Sequence, residues 1–138
     1  MNVDHILEAG YVIIEPLHDT LEQPEWLQAA SNDLLAYITP ILGPTSTLIV
    51  HRFAWYFAAG AEWHQIQLDE LAATFGVSAG GINSPLVRSL QRIHRFGFGR
   101  IEPTSPKLRI RTAIPPISRQ MARVIPAYLA DDCPYLVR

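Results

Sequence analysis

Apolar positions recur along this chain with two different periods, and the switches between them mark its elements. Gly10-Tyr11-Val12-Ile13-Ile14-Glu15-Pro16 is β-branched and aromatic up to a closing proline, which predicts a short strand. Trp26, Leu27, Ala30, Leu34 and Ile38 then follow at helical spacing behind Pro24 and Glu25, so a helix is expected there, stopped by Pro40. A second helix is expected from residue 45 or 46 to 59, between Gly43-Pro44 and Gly60. Its Leu48, Ile49, Val50, Phe53, Trp55, Tyr56 and Phe57 cover nearly the whole circumference, which predicts a central helix packed on more than one side.

Behind Gln67, the residues Leu68, Leu71, Ala72 and Phe75 form one stripe of a short helix that Gly76 ends. The next helix has the clearest start in the sequence, with Ser84 as N-cap and Pro85 at the first helical position, and it ends at Gly97. Leu86, Leu90, Ile93 and Gly97 should face the core, with Arg88, Gln91, Arg92 and Arg95 opposite. Residues 98–101 and 108–112 read as a hairpin around Pro103-Thr104-Ser105-Pro106. A last helix over 118–130 should gather Met121, Val124, Ile125 and Tyr128 on one stripe, kinked at Pro126. The elements describe a mainly helical α+β chain with a small β-hairpin, and no internal repeat interrupts them.

Composition narrows the class. With 138 residues, 49% hydrophobic and 17% charged, the chain is globular rather than disordered and fits a single domain. Its longest apolar stretch, 53–61, is far shorter than the roughly 20 residues that span a bilayer, so no membrane insertion is expected. Cys133 is the one thiol, which excludes an intrachain disulfide, and no basic leader precedes an apolar run; a cytoplasmic location is the expectation.

Charge changes the picture more than composition does. The net charge of -2 conceals a division: residues 1–51 hold seven acids and no Lys or Arg, whereas residues 88–138 hold ten bases against three acids. Local field rather than net charge steers a polyanion, so the basic end is the candidate surface.

Leu68-Asp69-Glu70-Leu71-Ala72-Ala73-Thr74-Phe75-Gly76-Val77-Ser78, followed by the arginine-bearing helix and the hairpin, resembles the winged helix-turn-helix superfamily over residues 44–112. Ala72 permits close helix crossing, Gly76 turns the chain and Val77 plugs the core. Ala79-Gly80-Gly81-Ile82-Asn83 lengthens the usual turn by about four residues. In that frame residues 1–43 are an acidic extension carrying a strand and a helix, and 113–138 carry a C-terminal helix. Leu42-Gly43-Pro44-Thr45, Asn83-Ser84-Pro85-Leu86 and Ile114-Pro115-Pro116-Ile117 also resemble a group of small uncharacterised actinobacterial proteins, which implies a bacterial or phage origin and no chemistry.

The resemblance implies a DNA-binding transcriptional regulator, as a homodimer, on double-stranded DNA. Arg88, Gln91, Arg92 and Arg95 would read or flank the major groove. Asn83 and Ser84 would offer donors at the helix N-terminus, and the wing cations Arg100, Lys107, Arg109 and Arg111 would reach neighbouring backbone. The plain alternative is that the helix arginines are only its solvated face. A second reading is a winged-helix interaction module that docks a protein partner, a regulator or a polymerase subunit, through the acidic segment or the last helix. His5, His18, His51, His64 and His94 lack the close spacing of a metal site, and no nucleophile has an oriented partner, so no cofactor, metal or enzymatic activity is expected. Trp26, Trp55 and Trp63 with Tyr56 and Phe57 read as core rather than as a ligand cage.

Overall fold

The computed structural model describes residues 2–137. Strand β1 (Tyr11–Leu17) is its axis, because alternation sends Val12 and Ile14 inward to full burial and leaves Tyr11, Ile13 and Glu15 on the other face. Around it lie β3 (His64–Gln67), β4 (Gly99–Ile101) and β5 (Lys107–Arg111), in the order β3-β1-β5-β4. β1 runs antiparallel to β3, with Val12 opposite Ile66, and parallel to β5, with Glu15 opposite Arg109. β4 and β5 form the expected antiparallel hairpin. The strand content therefore exceeds a small hairpin: the N-terminal strand is inserted into a mixed sheet. β3 was not foreseen, since His64-Gln65-Ile66-Gln67 holds a single strong apolar residue and becomes a strand only by pairing with β1.

Helices cover one face of this sheet. α4 (Pro44–Ala58) buries Ile49, Val50, Phe53 and Ala54, and α6 (Pro85–Arg95) buries Leu86, Leu90 and Ile93 completely. Full burial of each such side chain contributes about 1.5–3 kcal/mol. Two small residues let α4 and α6 approach, and Ser46 Oγ donates across the contact to the Ser89 carbonyl at 3.0 Å. α5 (Leu68–Thr74) follows β3 without a break and buries Leu68, Leu71 and Ala72; Gly76, at φ 69°, turns the chain after it. The core reading of α4 holds only in part. Leu48 and Trp55 are 45% and 55% exposed, so one side of the helix is open.

The two ends of the chain depart most from expectation. The first helix, α1 (Asp4–Ala9), precedes β1. Where a long helix was expected from Pro24, Leu27–Gln28 instead forms β2 and pairs with β6 (Ala113–Ile114). The Ala29 N–H donates to the Thr112 carbonyl and Ser31 Oγ to the Gln28 carbonyl, so a ladder and a turn use the groups a helix needs. α2 (Asn32–Tyr37) and α3 (Thr39–Leu42) follow, with Pro40 inside the first turn of α3 rather than ending a helix.

The expected last helix is two single turns, α7 (Arg119–Ala122) and α8 (Ala127–Ala130), separated at Pro126. Ser118 caps the first through Met121 N–H at 3.2 Å. Val124 and Tyr128 are exposed, which breaks the anticipated stripe. The terminal segment docks back through the Ile117 and Tyr135 backbones and through the Tyr135 hydroxyl, which donates to Asp33. That bond, with burial, pushes the phenol up to about 12.

Candidate nucleic-acid interface

α6 presents one continuous polar arc. Ser84, extended at φ -65° and ψ 154°, accepts the Val87 N–H at 3.2 Å and starts the helix where Pro85 pre-sets its first turn. At helical pitch Arg88, Gln91 and Arg95 fall within about 60° of one another on the side away from Leu86, Leu90 and Ile93. Arg88 and Arg95 are exposed, Gln91 is half-buried, and neither arginine meets a carboxylate among the described residues. Asn83 is exposed just ahead of the cap. Ser84 is 4% exposed and its oxygen accepts the Val87 N–H, so it anchors the helix and is buried away from a ligand.

Arg92 also departs from the expected arrangement. Its Nε donates to the Leu42 carbonyl at 2.9 Å, its Nη2 to the Ile41 carbonyl at 3.2 Å, and the guanidinium lies 5.2 Å from the Phe96 ring centre. A fork of donors at the end of α3 satisfies carbonyls that the helix leaves open. Its partners lie fifty residues away, which no local pattern announces. His94, which the sequence did not single out as a structural tie, accepts the Ile101 N–H through Nδ1 at 3.0 Å and joins α6 to β4.

The cations of β5 alternate with buried Leu108 and Ile110, so all three stand on the sheet face that carries no helices. There they meet the acids of β1 and its neighbours. Lys107 Nζ is 2.9 Å from Glu15, Arg109 Nε is 3.2 Å from Glu102 and 3.9 Å from Glu15, and Arg111 Nη1 is 2.9 Å from Asp19. Arg109 makes its contacts without hydrogen-bond alignment, whereas Arg111 also donates through Nε to the Gly97 carbonyl at 2.7 Å. The Leu21 N–H and then Arg111 hold the Asp19 carboxyl below its ordinary value. Arg100, opposite Arg109 on β4, is exposed and meets no acid among the described residues.

The structure thus sorts the basic segment. Of the nine bases between 88 and 123, Arg92, Lys107, Arg109 and Arg111 are engaged within the chain, while Arg88, Arg95, Arg100, Arg119 and Arg123 are exposed and unpaired among the described residues. Between α5 and α6 the glycine-bearing loop is pinned at both ends, by Leu86 N–H to the Ser78 carbonyl and Ser84 N–H to the Gly81 carbonyl. Among the described residues no three His, Cys, Asp or Glu side chains converge as metal ligands, and no helix is long and apolar enough to cross a membrane. Trp55 and Trp63 are more than half exposed, against their reading as core, while Tyr56 and Phe57 pack around His64.

The molecule is defined by an α+β fold: a four-stranded mixed sheet, helices over one face, and an unpaired arginine arc on the best-capped helix. No known protein family, curated protein or solved structure matches the chain, and the functional reading rests on its own residues.

Proposed function

We propose that this chain is a winged helix-turn-helix regulator that binds double-stranded DNA through α6. In support, α4, β3, α5, α6 and the β4–β5 hairpin follow one another in the order of that fold, with β1 added between β3 and β5. The observation that carries the reading is the Arg88–Gln91–Arg95 arc: forked donors and an amide, unopposed by acid, on a rigid eleven-residue helix. An arginine fork matches the two acceptors of a guanine edge, and an amide matches adenine. Asn83 sits just ahead of the helix N-terminus, where a phosphate would meet free N–H groups, and Arg100 offers an unpaired cation on the hairpin.

Lys107, Arg109 and Arg111 contribute only where phosphates displace Glu15, Glu102 and Asp19, which makes the wing a weaker contact than its composition suggests. The regulator acts in the bacterial cytoplasm, as a homodimer on paired half-sites. A protein partner docking through the acidic segment finds less to hold, since Glu15 and Asp19 are paired in the sheet and Asp33 holds Tyr135.

Selection of bound duplexes from a random pool, with a salt titration of the enriched sequence, tests the proposal. About three to five phosphate contacts per protomer from the unpaired cations give a log–log salt slope of roughly -3 to -4.5 per protomer, doubled on a paired site. No enrichment together with a flat slope would end the DNA reading.

A further inference from the structure

The open side of α4 forms a second polar and apolar assembly, independent of the DNA face. Leu48, His51, Arg52 and Trp55 follow one another at the i, i+3, i+4, i+7 positions of one helical stripe and line a cleft of about 660 Å³. Leu35 of α2 and Phe75 at the end of α5 close its sides. Its volume lies within the range of small-molecule sites, where apolar walls surround a few convergent polar groups.

Two of those groups are incomplete. Arg52 carries a permanent charge, yet it meets no carboxylate among the described residues; its contacts are the Tyr56 hydroxyl at 3.4 Å and the Phe75 ring at 5.7 Å. His51 Nε2 is buried from solvent and has no hydrogen-bond partner. A carboxylate in the cleft would neutralise Arg52, whose guanidinium fork matches its two oxygens. The remaining walls call for a flat apolar body, since Leu48 and Trp55 stand about half exposed around an opening that Phe75 backs.

We propose that this cleft binds an aromatic carboxylate, its carboxylate on Arg52 and its rings against Trp55, Leu48 and Phe75. The site does not depend on DNA binding.

The test is calorimetric titration of the full chain with naphthalene-2-carboxylate and with its neutral counterpart, naphthalene-2-carboxamide. The expected result is saturable one-to-one binding, with the carboxylate at least roughly tenfold tighter. Arg52→Gln should bring the two compounds to parity, and Trp55→Ala should weaken both by a similar factor, with the circular dichroism of each variant unchanged. Both side chains reach the surface, so the variants retain the core.

Absence of saturable binding, equal affinity for the two compounds in the unmodified chain, or a carboxylate preference that survives Arg52→Gln overturns the proposal. So does a dimer in sedimentation that Trp55→Asp converts to monomer, because the stripe is then a seam between copies rather than a ligand site.

Discussion

Helix α6 and strand β5 each carry three cations: Arg88, Arg92 and Arg95 on the helix, and Lys107, Arg109 and Arg111 on the strand. By composition they are one basic surface. In the fold they differ, because topology brings different neighbours to each set. The strand period places all its cations on one face, and the parallel register sets Glu15 of β1 opposite Arg109, with Asp19 just beyond the end of β1 beside Arg111. The helical period keeps the three arginines within about 60° of one another, and the end of α3 comes close enough for Arg92 to reach its carbonyls while Arg88 and Arg95 meet no acid among the described residues. A run of like charge in sequence is therefore not a like surface; neighbours brought by topology decide which charges remain free.

The comparison breaks first at the shared core. Leu90 is fully buried under α6, and Leu90→Ala should cost about 2–5 kcal/mol in denaturant unfolding. If the helix and the hairpin are one cooperative unit, the loss appears as a single transition shifted to lower denaturant; two separated transitions would show that the regions unfold independently. Gly99, where β4 leaves α6, marks the same junction: a Cβ there would lie 2.5 Å from the Arg109 carbonyl and 2.8 Å from Ile93. Gly99→Ala should cost about 1–3 kcal/mol by overpacking.

Within α6, Arg92 and Arg95 sharpen the comparison by opposite effects. Arg92→Ala strips donors from the Ile41 and Leu42 carbonyls and should cost about 1–3 kcal/mol of stability. Arg95→Ala should alter stability by less than about 0.5 kcal/mol. On selected DNA it should lose about 1–3 kcal/mol of binding free energy. Equal stability losses would remove the assigned division of labour. On the strand, Glu15→Gln frees Lys107 and leaves Arg109 with Glu102, with a stability change under about 1 kcal/mol because these pairs are partly solvated. The salt slope should steepen by about one unit per protomer as phosphate takes the vacated Lys107, and an unchanged slope would show that the wing does not touch DNA.

Much of this division was legible in the sequence, and the illegible part has a physical cause. Ser84-Pro85 and Gly97 bound α6 because capping and positive φ are local properties of those residues. The hairpin followed from alternation in Lys107 to Arg111. Insertion of β1 between β3 and β5 leaves no local trace, since strand pairing joins residues about a hundred positions apart, and with it went the pairing of Glu15 and Asp19. The helix expected from Pro24 failed for a related reason: Leu27 with Ala30 suits a helical stripe as well as Leu27 with Ala29 suits a strand, and only the Ile114 and Thr112 backbones decide for a ladder. Of the expected contact residues, Arg88 and Arg95 lie where the helical period places them. Ser84 and Arg92 turn inward to partners that the period does not specify.

The smallest expected effect is the pH dependence of the strand's outermost pair. The Leu21 N–H and Arg111 hold the Asp19 carboxyl below its ordinary 3.8, so the folded state binds its proton less readily than the unfolded chain does. The resulting contribution is fully present above the unfolded value and is lost as pH falls from about 4 through the lower folded value. Asp19→Asn should therefore leave a shallower stability profile in that acid window and little change near neutrality. The effect is small because the pair lies at the surface, where water screens both charges. Arg111 keeps its bond to the Gly97 carbonyl in either state, so acid releases its charge without releasing its position. Identical acid profiles for the variant and the unmodified chain would mean that the pair is too screened to register. The strand cations would then be open to phosphate at little cost, and their difference from Arg88 and Arg95 would narrow to one of geometry alone.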